Sequence, residues 1–434
     1  MRKHINMVCL ITIVCGMALT LTACGRNQDD EDNGYDYYYW STSGNDITHG
    51  TSDNGSGEAE YAYEPEVVAV FAGDYGSFVL KSDGSLWGWG FLRLTGGDEE
   101  RRSWGWREPP RHVMNDISDF STGTLHSLAI DTNGALWAWG RGMFGDLYEG
   151  GKEFDRMNPQ FIPVHVMDDV IGVSAGSASS NVLLPYYSSF HAHALAITSD
   201  GILWGWGYNS TNQIIDGGEF VIDSPIEIMN NVVSAAAGNL FSMALTANGD
   251  LWVWGHHDTV FGGKTRVMNN VIAIYTTTVP AFFFDFDAPG TPTSDRMYAI
   301  TYDGTLWGWN VSIDGNPAVR YRPIEIMSDV IGIAAGQGHT MAITADGSLW
   351  GWGCNNYGQI GVHELTDHNS PVHVYAVSNV VSAAAGRRHT VVLTEDGEVL
   401  AWGSNAMWQV GPGEARDMSG REVRKRPRQV VFEE

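Results

Sequence analysis

Positive charge is scarce in this chain: 25 Lys and Arg stand against 51 Asp and Glu, a formal net charge of −26 over 434 residues. That balance excludes unaided binding to a nucleic-acid backbone, where Lys and Arg must displace condensed counterions. It also gives no attraction to anionic lipid head groups. Cysteine is nearly absent. Of the four cysteines, Cys9, Cys15 and Cys24 belong to the N-terminal segment, which leaves Cys354 alone in the body of the chain and excludes a disulfide framework there. Long apolar runs are limited to Ile5–Leu21, which is short for a membrane span. No Walker-type loop, nucleophile elbow or paired metal motif is present, so no catalytic residue, metal site or cofactor is expected.

The N-terminal segment reads as an address. Arg2, Lys3 and His4 precede the apolar run, which ends in Leu21-Thr22-Ala23-Cys24-Gly25. That string resembles a bacterial lipobox, which implies removal of 1–23 as a signal peptide and lipidation at Cys24. Residues 24–64 read as an acidic tether, since ten Asp or Glu fall in 25–64 against one Arg, among Gly, Ser and Asn. The expected location is extracytoplasmic, with membrane attachment through the acyl anchor only.

Glycine and tryptophan, by contrast, are abundant, at 52 and 17. From Pro65 to Glu434 one unit recurs seven times: Asp-Gly or Asn-Gly, one residue, then Leu-Trp-x-Trp-Gly. Leu86-Trp87-Gly88-Trp89-Gly90 is the first copy, and Val399-Leu400-Ala401-Trp402-Gly403 the degenerate last. Asp-Gly and Asn-Gly favour the positive φ angles of a two-residue hairpin. Tryptophans two residues apart share one face of a strand, which suits packing of sheet on sheet. Upstream of each hairpin lies a small-residue strand such as Val380-Val381-Ser382-Ala383-Ala384-Ala385-Gly386, fit for crowding round an axis. Further upstream comes Pro-x-x-(Val/Ile), as at Pro225 and Pro323, suited to an outer edge. The expected fold is all-β: a seven-bladed β-propeller of four-stranded antiparallel blades. Because the first unit lacks an upstream edge strand, Pro427-Arg428-Gln429-Val430-Val431-Phe432 is expected to complete the first blade and close the ring.

Ala335-Gly336-Gln337-Gly338-His339-Thr340, with Trp352-Gly353-Cys354-Asn355-Asn356-Tyr357-Gly358-Gln359-Ile360-Gly361, resembles the repeat of the regulator of chromosome condensation family. Unit one departs at Gly76, in place of histidine, and unit five at Asn310, in place of glycine. The Asn-x-x-x-Gln segment recurs at Asn209/Gln213, Asn355/Gln359 and Asn405/Gln409. The resemblance implies a seven-bladed propeller and, as an activity, guanine-nucleotide exchange on a small GTPase.

Strand parity puts the long connections on one face and the Asp-Gly hairpins on the other. The long connections carry the aromatics Trp104, Trp106, Tyr148, Tyr186, Tyr187, Phe190, Phe283, Phe286, Tyr357 and Trp408, the candidate ligand-binding residues. The function expected is a non-catalytic, monomeric protein-binding module with a protein partner at the cell surface and no nucleic acid. The alternatives are glycan binding at the same face and the exchange activity the resemblance implies. His126, His193, His339 and His389 share one repeat position and read as a repeated turn hydrogen bond. Arg424-Lys425-Arg426-Pro427-Arg428 reads as a solvated loop.

Overall fold

The computed structural model describes residues 65–90, 108–123, 126–140, 160–176, 192–255, 263–276, 295–311, 323–412 and 423–432. These form seven four-stranded antiparallel sheets, each a meander from an innermost to an outermost strand. The first blade is Val67–Ala72, Gly76–Lys81, Leu86–Gly90 and Glu108–Met114. The others follow in chain order over 117–167, 170–229, 232–268, 271–327, 330–373 and 380–429. Together they make a seven-bladed β-propeller, as the repeat predicts.

Each hairpin turns on a glycine at positive φ, from 76° at Gly347 to 83° at Gly134. The two tryptophans of each strand are treated differently. The first, present in blades one to six, is half-buried, and in four of them the hairpin holds its indole N–H: Trp87 donates to Ser85 at 3.1 Å, Trp204 and Trp307 to Thr198 and Thr301 at 3.1 and 3.2 Å, and Trp137 to Asp131 at 3.1 Å. The second is buried in every blade and inserts into the core shared with the preceding sheet. Trp139 packs with Ala69, Phe78 and Phe120, Trp206 with Leu128 and Val173, and Trp402 with Met341 and Ile343. Trp89 does the same between blades one and seven, beside Val391 and Leu393. Seven such cores alternate with seven sheets, so each blade is held by two neighbours. The small residue between the tryptophans admits an aliphatic tip on the other face. A Cβ on Gly205 would stand 2.5 Å from Ile228 Cδ1.

The small residues ending the innermost strands do crowd the axis. A Cβ on Gly336 would stand 2.3 Å from the carbonyl oxygen of Gly386, and one on Gly386 2.5 Å from that of Gly73. Backbone meets backbone there, and any side chain would prise the blades apart.

The closure differs from the sequence expectation. The C-terminal strand Val423–Gln429 pairs with Val399–Ser404 inside the seventh blade, and Glu108–Met114 is the first blade's own edge. The physical reason lies in the turns between blades. Asp116, Asp169, Asn231, Asn270, Asp329 and Asn379 adopt left-handed φ of 54–63°. The residue after each donates back to the hairpin glycine of the blade just left, as Ile117 N–H does to Gly84 O at 2.8 Å. This lock keeps each outermost strand with the hairpin that precedes it. The ring is closed by side-chain packing instead, to which the tail contributes: Phe432 lies edge-on to Trp89, centroids 5.7 Å apart.

Candidate functional site

Hydrogen bonds run across the blade junctions toward the long-loop end. His193 Nε2 meets Ser242 Oγ of the next blade at 2.8 Å, His339 meets Thr390 at 2.8 Å, and His389 meets Ser77 at 2.9 Å. Each hydroxyl donates onward to a carbonyl: Ser242 to Gln213 O, Thr390 to Gln359 O and Ser77 to Gln409 O, at 2.6–2.7 Å. His193, His339 and His389 therefore bridge blades rather than brace turns, which corrects the sequence reading at these three positions. Their burial holds His193, His339 and His389 at a pKa of about 3, and His126 at about 4. Such imidazoles are neutral at physiological pH.

The three glutamines close the Asn-x-x-x-Gln segments. Asn209, Asn355 and Asn405 accept through Oδ1 from the N–H of Ile214, Ile360 and Val410 at 2.9–3.1 Å. Gln359 and Gln409 accept through Oε1 from Tyr357 and Met407. Loop, histidine and next blade thus form one braced unit, found in blades three, six and seven. Rigid backing of this kind is what a binding loop needs to present side chains without ordering cost.

In the sector of blades six, seven and one, this scaffold gathers charge and aromatics. Arg387 and Arg388 sit side by side on the first turn of blade seven. Arg388 donates to Tyr357 OH at 2.7 Å, its guanidinium 4.4 Å from the ring centroid. On the other side Arg387 donates to Tyr75 OH and lies 5.3 Å from that ring. Burial raises the Tyr75 phenol and the neighbouring Asp74 adds to this, while Arg387 and Arg388 oppose it. Gln337 Nε2 reaches from blade six to Asp74 Oδ1 of blade one at 2.8 Å, tying the turns on either side of the arginines. Two adjacent guanidinium groups, each held at a tyrosine by a hydrogen bond to its hydroxyl, are suited to carboxylate recognition.

Trp408 belongs to the same sector and carries an unusual backbone. Its φ is 61°, where the sister loops place Gly358 at 71° and Asn212 at 60°. A bulky residue in the left-handed region costs about 1–2 kcal/mol, and such strain concentrates where function retains it. The loop is gripped from below by Arg424, whose buried guanidinium donates to the carbonyls of Val410, Gly411 and Pro412. Arg424 thus lies in a strand and inside the fold, which corrects its reading as part of a solvated loop. Lys425, Arg426 and Arg428 are exposed along the outer edge.

Of the residues singled out by sequence, Tyr357 and Trp408 fall in this sector. Cys24, Trp104, Trp106, Tyr148, Tyr186, Tyr187, Phe190, Phe283 and Phe286 lie outside the described residues. Sequence reasoning missed Tyr75, Arg387 and Arg388, and misplaced Arg424. The signal for the arginine pair was available, since blade seven has Arg387-Arg388 where blade six has Gln337-Gly338 before the repeat histidine. Among the described residues, no group of three or more His, Cys, Asp or Glu is placed to hold a metal ion.

Matches to known protein families fall in blades four, six and seven. The model described as "Regulator of chromosome condensation (RCC1) repeat" matches residues 346–393, and a second of the same description matches 232–258, 330–359 and 380–407. The ultraviolet-B receptor UVR8 of Arabidopsis thaliana is 26% identical over 318 residues, 67% of this chain and 65% of the receptor. The human E3 ubiquitin-protein ligase HERC2 is 28% identical over 187 residues, 41% of this chain and 4% of the ligase. The match is thus under two thirds of either relative's length. Among solved structures, human WBSCR16 superposes with a TM-score of 0.58 at 19% identity, covering 77% of this chain and 88% of that one. Yeast RCC1 (Prp20), solved bound to Kap60, gives 0.57 at 16% identity, covering 89% and 91%. At these identities the likeness is one of fold.

Proposed function

Because the chain carries the regulator of chromosome condensation repeat, we propose that its propeller is a non-catalytic protein-interaction module that uses the long-loop face. The observation carrying this reading is the braced sector of blades six, seven and one, where Arg387 and Arg388 are held at Tyr75 and Tyr357 beside a strained Trp408. Arginine and large aromatics are the residue types that dominate protein interfaces. A protein of the same fold also has a protein partner, since yeast RCC1 was solved bound to Kap60. The arginine pair favours a partner that offers carboxylates. The lipobox-like string at Cys24 supports an extracytoplasmic, membrane-anchored setting for this encounter.

Affinity capture with the intact chain and with R387Q/R388Q/W408N tests the reading. A protein retained by the parent and lost by the variant is expected; identical profiles would contradict the assignment of the face. For the anchor, labelled fatty acid should be incorporated into the parent and not into Cys24→Ala. Labelling of both would remove the lipidation reading and leave the propeller reading intact.

A further inference from the structure

Every innermost strand carries a bulge at its second residue, where the pairing register skips one position. In the second blade the skipped residue is Ser118; in the other six it is Val68, Ile171, Val233, Ile272, Ile331 or Val381. Val68, Ile171, Val233 and Val381 are 43–53% exposed, while Ile272 and Ile331 lean on the neighbouring cores. These strands begin at the hairpin end, as the bonds from the crossing turns to the hairpin glycines require. Neighbouring innermost strands pack against one another all the way round. The skipped residues therefore form a ring about the axis on the hairpin face, opposite the loop sector described above.

The bulge itself does not require an aliphatic side chain. Ser118 occupies it in blade two and donates to the carbonyls of Ile130 and Asp131 at 3.1 and 3.0 Å. The solvent-facing side chains of Val68, Ile171, Val233 and Val381 thus have no role in making the bend. Around this ring stands negative charge. Asp116, Asp169 and Asp329 are exposed in the crossing turns, and Asp200, Asp303 and Asp346 in the hairpins. Across the hairpin turns and the six crossing turns the one Lys or Arg is Lys81, at the base of the first hairpin, its ammonium 4.6 Å from the Trp87 ring centroid. Hydrogen bonds from Thr198, Thr301 and Thr344 lower the pKa of the three hairpin aspartates, so they stay ionised.

We propose that the hairpin face docks a cationic amphipathic segment of another protein, with its apolar side chains on the aliphatic ring and its Lys and Arg among the aspartates. Charge complementarity selects this occupant. A second copy of the chain through the same face, or an anionic lipid surface, would meet like charge.

The internal variation of the ring supplies the test. V68S/I171S/V233S/V381S copies the serine of blade two. D116N/D169N/D329N copies the asparagine that already holds the left-handed turn at 231, 270 and 379. Full-length parent and variants, matched for melting temperature and near-ultraviolet circular dichroism, are titrated with three 18-residue peptides: leucine–lysine, serine–lysine of equal charge, and leucine–glutamate. The parent should bind leucine–lysine at least tenfold more tightly than either other peptide. The serine variant should lose tenfold or more of that affinity, and the asparagine variant should lose affinity together with salt dependence. Equal binding of serine–lysine, or an unchanged serine variant, would reduce the effect to bulk charge and overturn the proposal, as would absence of binding. The acidic segment 24–64 is common to all variants and cancels. Any of these failures leaves the loop-face reading standing, because that reading is tested with other residues.

Discussion

Acidification should unfold this protein well above the carboxylate range, and the buried histidines set the size of the effect. His193, His339 and His389 have pKa values of about 3 in the fold and His126 about 4, all lowered by burial. An unfolded histidine titrates at about 6.5. Above that pH neither state takes up a proton at these sites, and their share of the stability is fully present. Below it the unfolded chain gains protons that the fold refuses, so stability falls with pH until the folded values are reached. The slope is about 1.4 kcal/mol per pH unit for each histidine. Four together give about 5 kcal/mol per unit, and about 8 kcal/mol lost by pH 5, against a typical domain stability of 5–15 kcal/mol.

The carboxylates act elsewhere on the pH scale. Asp83, Asp200, Asp303 and Asp346 are lowered chiefly by hydrogen bonds from Ser85, Thr198, Thr301 and Thr344, so their contribution is lost only below about pH 4. The assay is urea unfolding followed by tryptophan fluorescence at half-unit steps from pH 7.5 to 4.5, for the parent and for His389→Gln. The parent midpoint should fall steeply below pH 6, and the variant slope should be shallower by about 1.4 kcal/mol per unit. A midpoint flat from pH 7 to 5, or a variant with the parent's slope, would refute the burial argument.

Three further outcomes follow from the packing. Trp206→Ala should cost about 3–5 kcal/mol and Trp204→Ala clearly less, since the first is buried in an inter-blade core and the second only half-buried; calorimetry gives the comparison, and equal costs would contradict the assignment. Trp408→Asn should relieve left-handed strain of about 1 kcal/mol and so preserve or raise the melting temperature while weakening partner capture. A large loss of stability would make Trp408 a packing residue. Arg424→Met should take this donor from the carbonyls of Val410 and Pro412, Gly411 O keeping Asn405 Nδ2, and speed hydrogen exchange in 405–412, with the blade-three loop 209–215 unchanged as the internal control.

The sequence carried the blades plainly, because a hairpin turn and a pair of large residues at period two are local chemistry. Asp-Gly with Leu-Trp-x-Trp-Gly located the second and third strands of each sheet, and the Ala and Gly runs located the axis. It failed at the blade boundaries, since a circular repeat has no intrinsic first strand and Glu108–Met114 satisfies an edge in either frame. The left-handed Asp and Asn turns decide the frame, and they were visible as Asn115-Asp116, Asp168-Asp169 and Asn230-Asn231. Loop closure points the same way. Pairing across 17 intervening residues is entropically easier than pairing across three hundred, by about 0.6 kcal/mol for each doubling. The candidate site was less legible. Tyr357 and Trp408 stood out as aromatics within a recognisable segment. Tyr75 and Arg387 lie 312 residues apart in sequence and meet only because the first and seventh blades are neighbours in the ring.

The central claim is that the loop face of blades six, seven and one engages a protein. A photoreactive residue at position 408, with one at the outer-edge position 428 as control, tests it most directly in cells making the full chain. A discrete adduct that forms from 408, is absent from 428 and disappears with R387Q/R388Q is the predicted result. No adduct from 408, or the same adducts from both positions, would contradict the account.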